Sequence, residues 1–177
     1  MPLPPNLSDD LPTAEEIDAF AARFGAHLRS GGTLSEWMGV DDADMEATYA
    51  LGCFFYGRDE YDTALRIYGL LLMGNPYDRR FAIGMGMCKQ MLKQYDDAIG
   101  YYANALVMDF DDPLPSLHTA ECLAQKGLRT EALEVLNISL RRSHAPEHQH
   151  VRQQALNLQI LLQSAQTQAK ATSGVHA

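Results

Sequence analysis

Ala64, Ala98 and Ala132 stand at a strict 34-residue spacing, and other columns keep the same period: Gly52, Gly86 and Ala120, then Tyr68, Tyr102 and Leu136. A fixed period of this length means one supersecondary unit used repeatedly, each copy burying its apolar face against the next. Within a unit, a small residue on a first helix (Gly52, Gly86, Ala120) is expected to face a small residue on a second (Ala64, Ala98, Ala132). Small side chains let two helix axes approach closely, and larger neighbours fill the remaining volume. Leu51 and Phe55, Met85 and Leu123 hold the positions of those neighbours.

The period of 34 is that of tetratricopeptide repeats, pairs of antiparallel helices stacked into an α-solenoid. The expected fold is therefore all-α, with three tandem repeats over 45–78, 79–112 and 113–144. The helices are expected near 45–57, 61–74, 79–91, 95–108, 113–125 and 129–142. Asp62, Asp96 and Thr130 lie at the start of each second helix, where an acid or short acceptor suits the exposed amides. Pro76 closes the first unit, because proline cannot extend the helix before it.

The flanks differ from the array. Residues 1–12 are proline-rich and read as a flexible tail. Residues 13–44 form an N-terminal helical segment that opens on a capping box, Thr13-Ala14-Glu15-Glu16. Ile17, Phe20, Phe24 and Leu28 come next as an apolar stripe, and Gly31-Gly32 ends the helix. That stripe has two readings, packing on the chain's own array or serving as a dimer interface. Trp37 anchors a short helical turn after it. Beyond Pro146, Val151, Ala155, Leu158, Leu162 and Ala165 give a capping helix over 147–170 one apolar face for the last repeat. Residues 171–177 read as a second flexible tail.

Charge and composition narrow the function. Net charge is −9, most of it carried before residue 47, and no basic stripe suggests a phosphate backbone as partner. Nucleic acid is not an expected partner. Neither a secretory signal nor an apolar run long enough to span a bilayer is visible. Cys53, Cys88 and Cys122 fall inside repeat helices without a Cys-x-x-Cys pair and read as reduced thiols. These features together suit the cytoplasm. His144, His148 and His150 surround Pro146 with no defined fourth ligand and read as a solvated linker, so no metal or cofactor is expected. His118 is expected to pack or hydrogen-bond beside the groove. No nucleophile–base pair, phosphate loop or paired-carboxylate site stands out, and enzymatic activity is not expected.

In such arrays the first helix of each pair lines a concave groove. Its exposed positions are Tyr49, Cys53 and Tyr56, then Arg80, Ile83, Met87 and Gln90, then Leu114, Leu117 and Glu121. These side chains are mostly apolar or amphipathic, and an apolar concavity marks a partner site. The alternative is that a terminal segment of the chain fills it. Three buried apolar anchors would contribute roughly 1.5–3 kcal/mol each, and ordering an extended peptide removes much of that. A carboxylate clamp for an acidic C-terminus is absent, since Tyr49, Cys53 and Ile83 occupy the positions it would need.

One stretch is more specific. Tyr77-Asp78-Arg79-Arg80-Phe81, Gly84-Met85-Gly86-Met87-Cys88-Lys89-Gln90 and Gln94-Tyr95-Asp96-Asp97-Ala98-Ile99 precede Asp112-Pro113 and His118-Thr119-Ala120-Glu121-Cys122-Leu123. With Gly31-Gly32-Thr33, this run closely resembles the class II chaperones of bacterial type III secretion, the SycD/LcrH family. The resemblance implies a cytoplasmic chaperone, independent of ATP, that binds hydrophobic translocator proteins through a short extended segment. It keeps them soluble and apart before secretion. It also implies homodimers and, in some relatives, assistance to a transcriptional activator. Tyr49 and Tyr56 match aromatic groove positions of the family, whereas Cys53 stands where an aromatic is common. The alternative function is an adaptor or scaffold whose repeats bridge folded partners.

Overall fold

The computed structural model describes residues 13–173, with side chains described as far as residue 164. The expected tails at 1–12 and 174–177 lie outside the described residues. Among the described residues, nine α-helices run α1 (Ala14–Arg29), α2 (Leu34–Met38), α3 (Asp42–Tyr56), α4 (Tyr61–Gly74), α5 (Arg79–Met91), α6 (Tyr95–Met108), α7 (Leu114–Gln125), α8 (Arg129–Arg142) and α9 (Gln149–Ser173). A 3-10 turn, Pro146–His148, precedes α9. Helices α3 to α8 pair in order as three tetratricopeptide repeats, and α9 packs on α7 and α8.

The boundaries have local causes. Thr13 and Thr33 each form a capping box, with Glu16 and Glu36 accepting from the threonine amides at 2.7 and 2.9 Å. Asp78 and Asp112, one period apart, accept from the amides of Arg80 and Leu114 at 2.9 Å and so start α5 and α7. The turns inside the three pairs carry left-handed residues at that same period, Asp59 (φ 62°), Lys93 (φ 60°) and Gly127 (φ 79°). Only the third is glycine, so the first two turns bear a steric cost of about 1–2 kcal/mol each.

The centre of each unit differs from the small-on-small contact expected from its columns. A Cβ placed on Gly86 would lie 2.5 Å from the Tyr102 ring, and one on Gly52 2.9 Å from Tyr68. A Cβ on Gly84 would lie 2.8 Å from the same Cδ1–Cε1 edge of the Tyr68 ring. What faces each glycine is thus a tyrosine one turn beyond the repeat alanine. In the third unit the pair becomes Ala120 with Leu136, both fully buried in one cluster with Ala132. A smaller side chain on one helix accompanies a larger one on the other, so local volume is conserved. Leu51 is a further correction: it is 47% exposed, on the outer face of α3, where no helix precedes it in the stack.

The N-terminal helix stands apart from the array. Trp37 on α2 packs edge-on to Phe20 and Phe24, at 5.7 and 5.3 Å between centroids, and also against His27. Among the described elements, helix α1 contacts α2 alone, and none of its residues is buried. The reading in which its stripe packs on the repeats is therefore overturned. Phe24 is partly covered by Trp37, but Ile17, Phe20 and Leu28 keep about half their surface.

Replacing Gly86 with Ala should destabilise the fold by about 1–3 kcal/mol, because the Tyr102 ring has nowhere to move. In a Tyr102→Leu background, which copies the third unit, the same change should cost much less. Urea midpoints of the four proteins in the cycle measure the coupling.

Candidate peptide-binding groove

The first helices of the three pairs line a cleft of about 410 Å³. Tyr49, Cys53 and Tyr56 come from α3, Arg80, Ile83 and Met87 from α5, and Leu114 from α7. Tyr68, Arg79, Gly84, Asp112, His148 and Val151 complete its wall. These residues are neighbours because the 34-residue period turns each helix face the same way. Glu46, Arg80 and Leu114 share one column, Tyr49, Ile83 and Leu117 a second, and Cys53, Met87 and Glu121 a third.

Exposure falls along the second column. Tyr49 is partly open, Ile83 is 8% exposed and Leu117 is fully buried. Leu117 is thus a core residue and not a groove residue, because α9 lays Val151 and Ala155 against it. The C-terminal helix therefore fills the third unit's share of the concavity and leaves the α3–α5 portion open. Gln90 and Glu121 also lie outside the cleft wall. Gln90 accepts from the Tyr102 hydroxyl at 2.7 Å and donates to Glu121 at 2.9 Å. His118 stacks on Tyr102 and contacts Glu121 at 2.9 Å. Burial raises the Glu121 carboxyl, but the His118 and Gln90 contacts outweigh it and hold the group below its ordinary value.

The charged groups of the wall are matched internally. Arg80 reaches Glu46 and Asp78, its guanidinium lying 4.9 Å from the Tyr49 ring centroid. Its hydrogen bonds to both carboxylates push the Arg80 pKa further upward. Arg79 pairs with the buried Asp112 and lies 3.7 Å from Asp109. The surface left for a ligand is consequently apolar and aromatic.

Cys53 is exposed, and its Sγ accepts from the Tyr68 hydroxyl at 3.3 Å. Burial drives the Tyr68 phenol well above its ordinary value and the Cys88 and Cys122 thiols up to about 12. Tyr68, Arg79, Asp112, His148 and Val151 are wall residues that the repeat columns do not single out as groove positions. Tyr68 sits in a column that reads as core, and Val151 belongs to a stripe that reads as the face of a cap. Among the described residues, no group of three His, Cys, Asp or Glu side chains is placed to hold a metal ion. No described helix is long and apolar enough to cross a membrane.

Comparison with known proteins bears on this geometry. A tetratricopeptide repeat family model matches residues 89–112. The Yersinia pestis Low calcium response locus protein H is 36% identical over 105 residues, covering 59% of this chain and 62% of that protein. The chain thus spans about 62% of the length of the curated relatives it matches first. The type III secretion translocator chaperone SycD of Yersinia enterocolitica is 30% identical, with a TM-score of 0.71, covering 73% of this chain and 98% of that one. This chain belongs to the type III secretion translocator chaperones. SycD in complex with a peptide of the translocator YopD is likewise 30% identical, with a TM-score of 0.66, covering 72% of this chain and 98% of that one.

Near neutral pH the native protein should present one reactive thiol per chain, Cys53, and three in denaturant, as counted with a disulfide chromophore. Because Cys88 and Cys122 have raised pKa values in the fold, their contribution to stability is complete below the ordinary thiol value of 9.0. It is lost as pH rises from there through about 12. Replacing both with Ala should flatten that alkaline decline in urea titrations.

Proposed function

We propose that this protein is a cytoplasmic, non-enzymatic chaperone of a type III secretion system that holds hydrophobic translocator proteins before their export. It grips a short extended client segment in the cleft between α3 and α5, keeping the client soluble and separate from its partners. The observation that carries this reading is a cleft whose Arg79, Arg80 and Asp112 charges are already paired within the wall and with neighbouring carboxylates. Such a surface gains most from burying apolar side chains. The relative bound to a translocator peptide supports the same use of the fold.

Each anchor seated against Tyr49, Tyr56, Ile83 or Met87 contributes roughly 1.5–3 kcal/mol before the ordering of the peptide is subtracted. Cys53, smaller than the aromatic common at its place, leaves room for a larger client side chain beside Tyr68. We further propose a homodimer built on α1, whose Ile17, Phe20 and Leu28 face solvent. The exposed outer face of α3, with Leu51 and Phe54, is an apolar surface of complementary kind.

Co-expression with a neighbouring hydrophobic secreted protein, then size exclusion of the soluble fraction, tests the chaperone reading. The expected result is a soluble complex with a client that is insoluble alone. Tyr49→Ala and Met87→Glu should each weaken that complex at least about tenfold without loss of helicity. A client that is folded and soluble on its own would instead favour a scaffold. Phe20→Glu with Phe24→Glu should give a folded monomer in sedimentation, and a persisting dimer would reject the α1 interface.

A further inference from the structure

The cleft wall includes His148, from the turn joining α8 to α9, and Val151, from the first turn of α9. That turn is unlike the rest of this acidic chain. Residues 141–152 hold three arginines, Arg141, Arg142 and Arg152, three histidines, His144, His148 and His150, and a single acid, Glu147. Arginines in the last turn of α8 suit its dipole, but that account does not extend to Arg152 or to the histidines beyond the helix.

The pairing pattern separates this turn from the cleft wall. Arg79 and Arg80 are each matched by carboxylates. Arg141 and Arg142 meet no described carboxylate, and one Arg142 guanidinium nitrogen, Nη1, is buried without any hydrogen-bond partner among the described residues. Arg152 gives one hydrogen bond to the Leu140 carbonyl, which tethers it across the turn and leaves its charge uncompensated. A buried donor without a partner is costly. Unmatched positive charge therefore lies on the segment that contributes His148 and Val151 to the wall of an apolar cleft whose other charges are neutralised.

We infer that the segment taken by the groove is amphiphilic along its length: apolar side chains seat between α3 and α5, and acidic residues flanking them on one side lie against the α8–α9 turn. This rests on the peptide-binding reading of the cleft and names the chemistry of its ligand. Carboxylates match a guanidinium fork, and they give the segment a direction that apolar pockets alone do not impose. The turn thus discriminates among hydrophobic segments by the charge of their flanking residues.

The test uses the full-length protein and fluorescein-labelled peptides with leucines at alternate positions, carrying three Glu or three Gln residues at either end. At about 0.01 M ionic strength, one of the two Glu-tailed peptides should bind about tenfold more tightly than its Gln-tailed counterpart, and the gap should close toward about 0.5 M salt. The triple variant Arg141→Gln, His144→Gln, His150→Gln alters exposed side chains only. It should weaken the preference, since Arg142 and Arg152 stay in place, while binding the Gln-tailed peptides as the parent does. Equal affinity for Glu- and Gln-tailed peptides, with both weakened by Tyr49→Ala, would overturn the inference and leave the groove reading intact. No binding of any peptide, or binding indifferent to Tyr49→Ala, would overturn both.

Discussion

The first two units of the array depend on the contact of a tyrosine ring with a glycine backbone. Gly52 and Gly84 both receive the Tyr68 ring, and Gly86 receives Tyr102. Those contacts fix how closely α3, α4, α5 and α6 approach, and hence the curvature that brings α3 and α5 to one concave side. They also orient the tyrosine hydroxyls. Tyr68 donates to Cys53 in the cleft and Tyr102 to Gln90 beside it, so the rings that set the packing also furnish polar tips to the working face. Scaffold and site share side chains here, and a change in one is felt in the other.

The repeat period makes most of the architecture legible before any coordinates. A 34-residue column determines where a helix starts, which face it buries and which face looks into the groove, because each unit solves the same packing problem. Helices α4, α5, α6 and α8 accordingly have the ends their columns imply. What the columns cannot express is the end of the array. Leu117 repeats Tyr49 and Ile83 in register, yet it is buried because α9 has no counterpart in the earlier units. Leu51 errs in the opposite sense: its equivalents are covered by a preceding helix that the first unit lacks. Both errors are boundary effects, and they arise where translational symmetry stops.

Charge placement is less visible in a linear reading. Arg80 stands among the expected groove contacts as a basic side chain, with Arg79 beside it in sequence. Folding consumes their charge through Asp78, Asp109, Asp112 and Glu46. Two of those acids also start helices, so an evident local purpose hides the longer-range one. Conversely, the α8–α9 turn reads as a solvated histidine linker, and only the absence of matching described carboxylates around Arg141 and Arg142 distinguishes it.

The attachment of α1 gives the chain an uneven resistance to opening. The repeats share continuous buried clusters, whereas α1 depends on the aromatic contacts of Trp37 and its own capping box. A helix of 16 residues is near the marginal length for survival in water. Its amides are then expected to trade protons with solvent long before those of α5 or α7, so a single melting temperature would describe the array and not the arm. Whatever covers the arm gains an ordering effect over a segment that the described helices beyond α2 leave to itself.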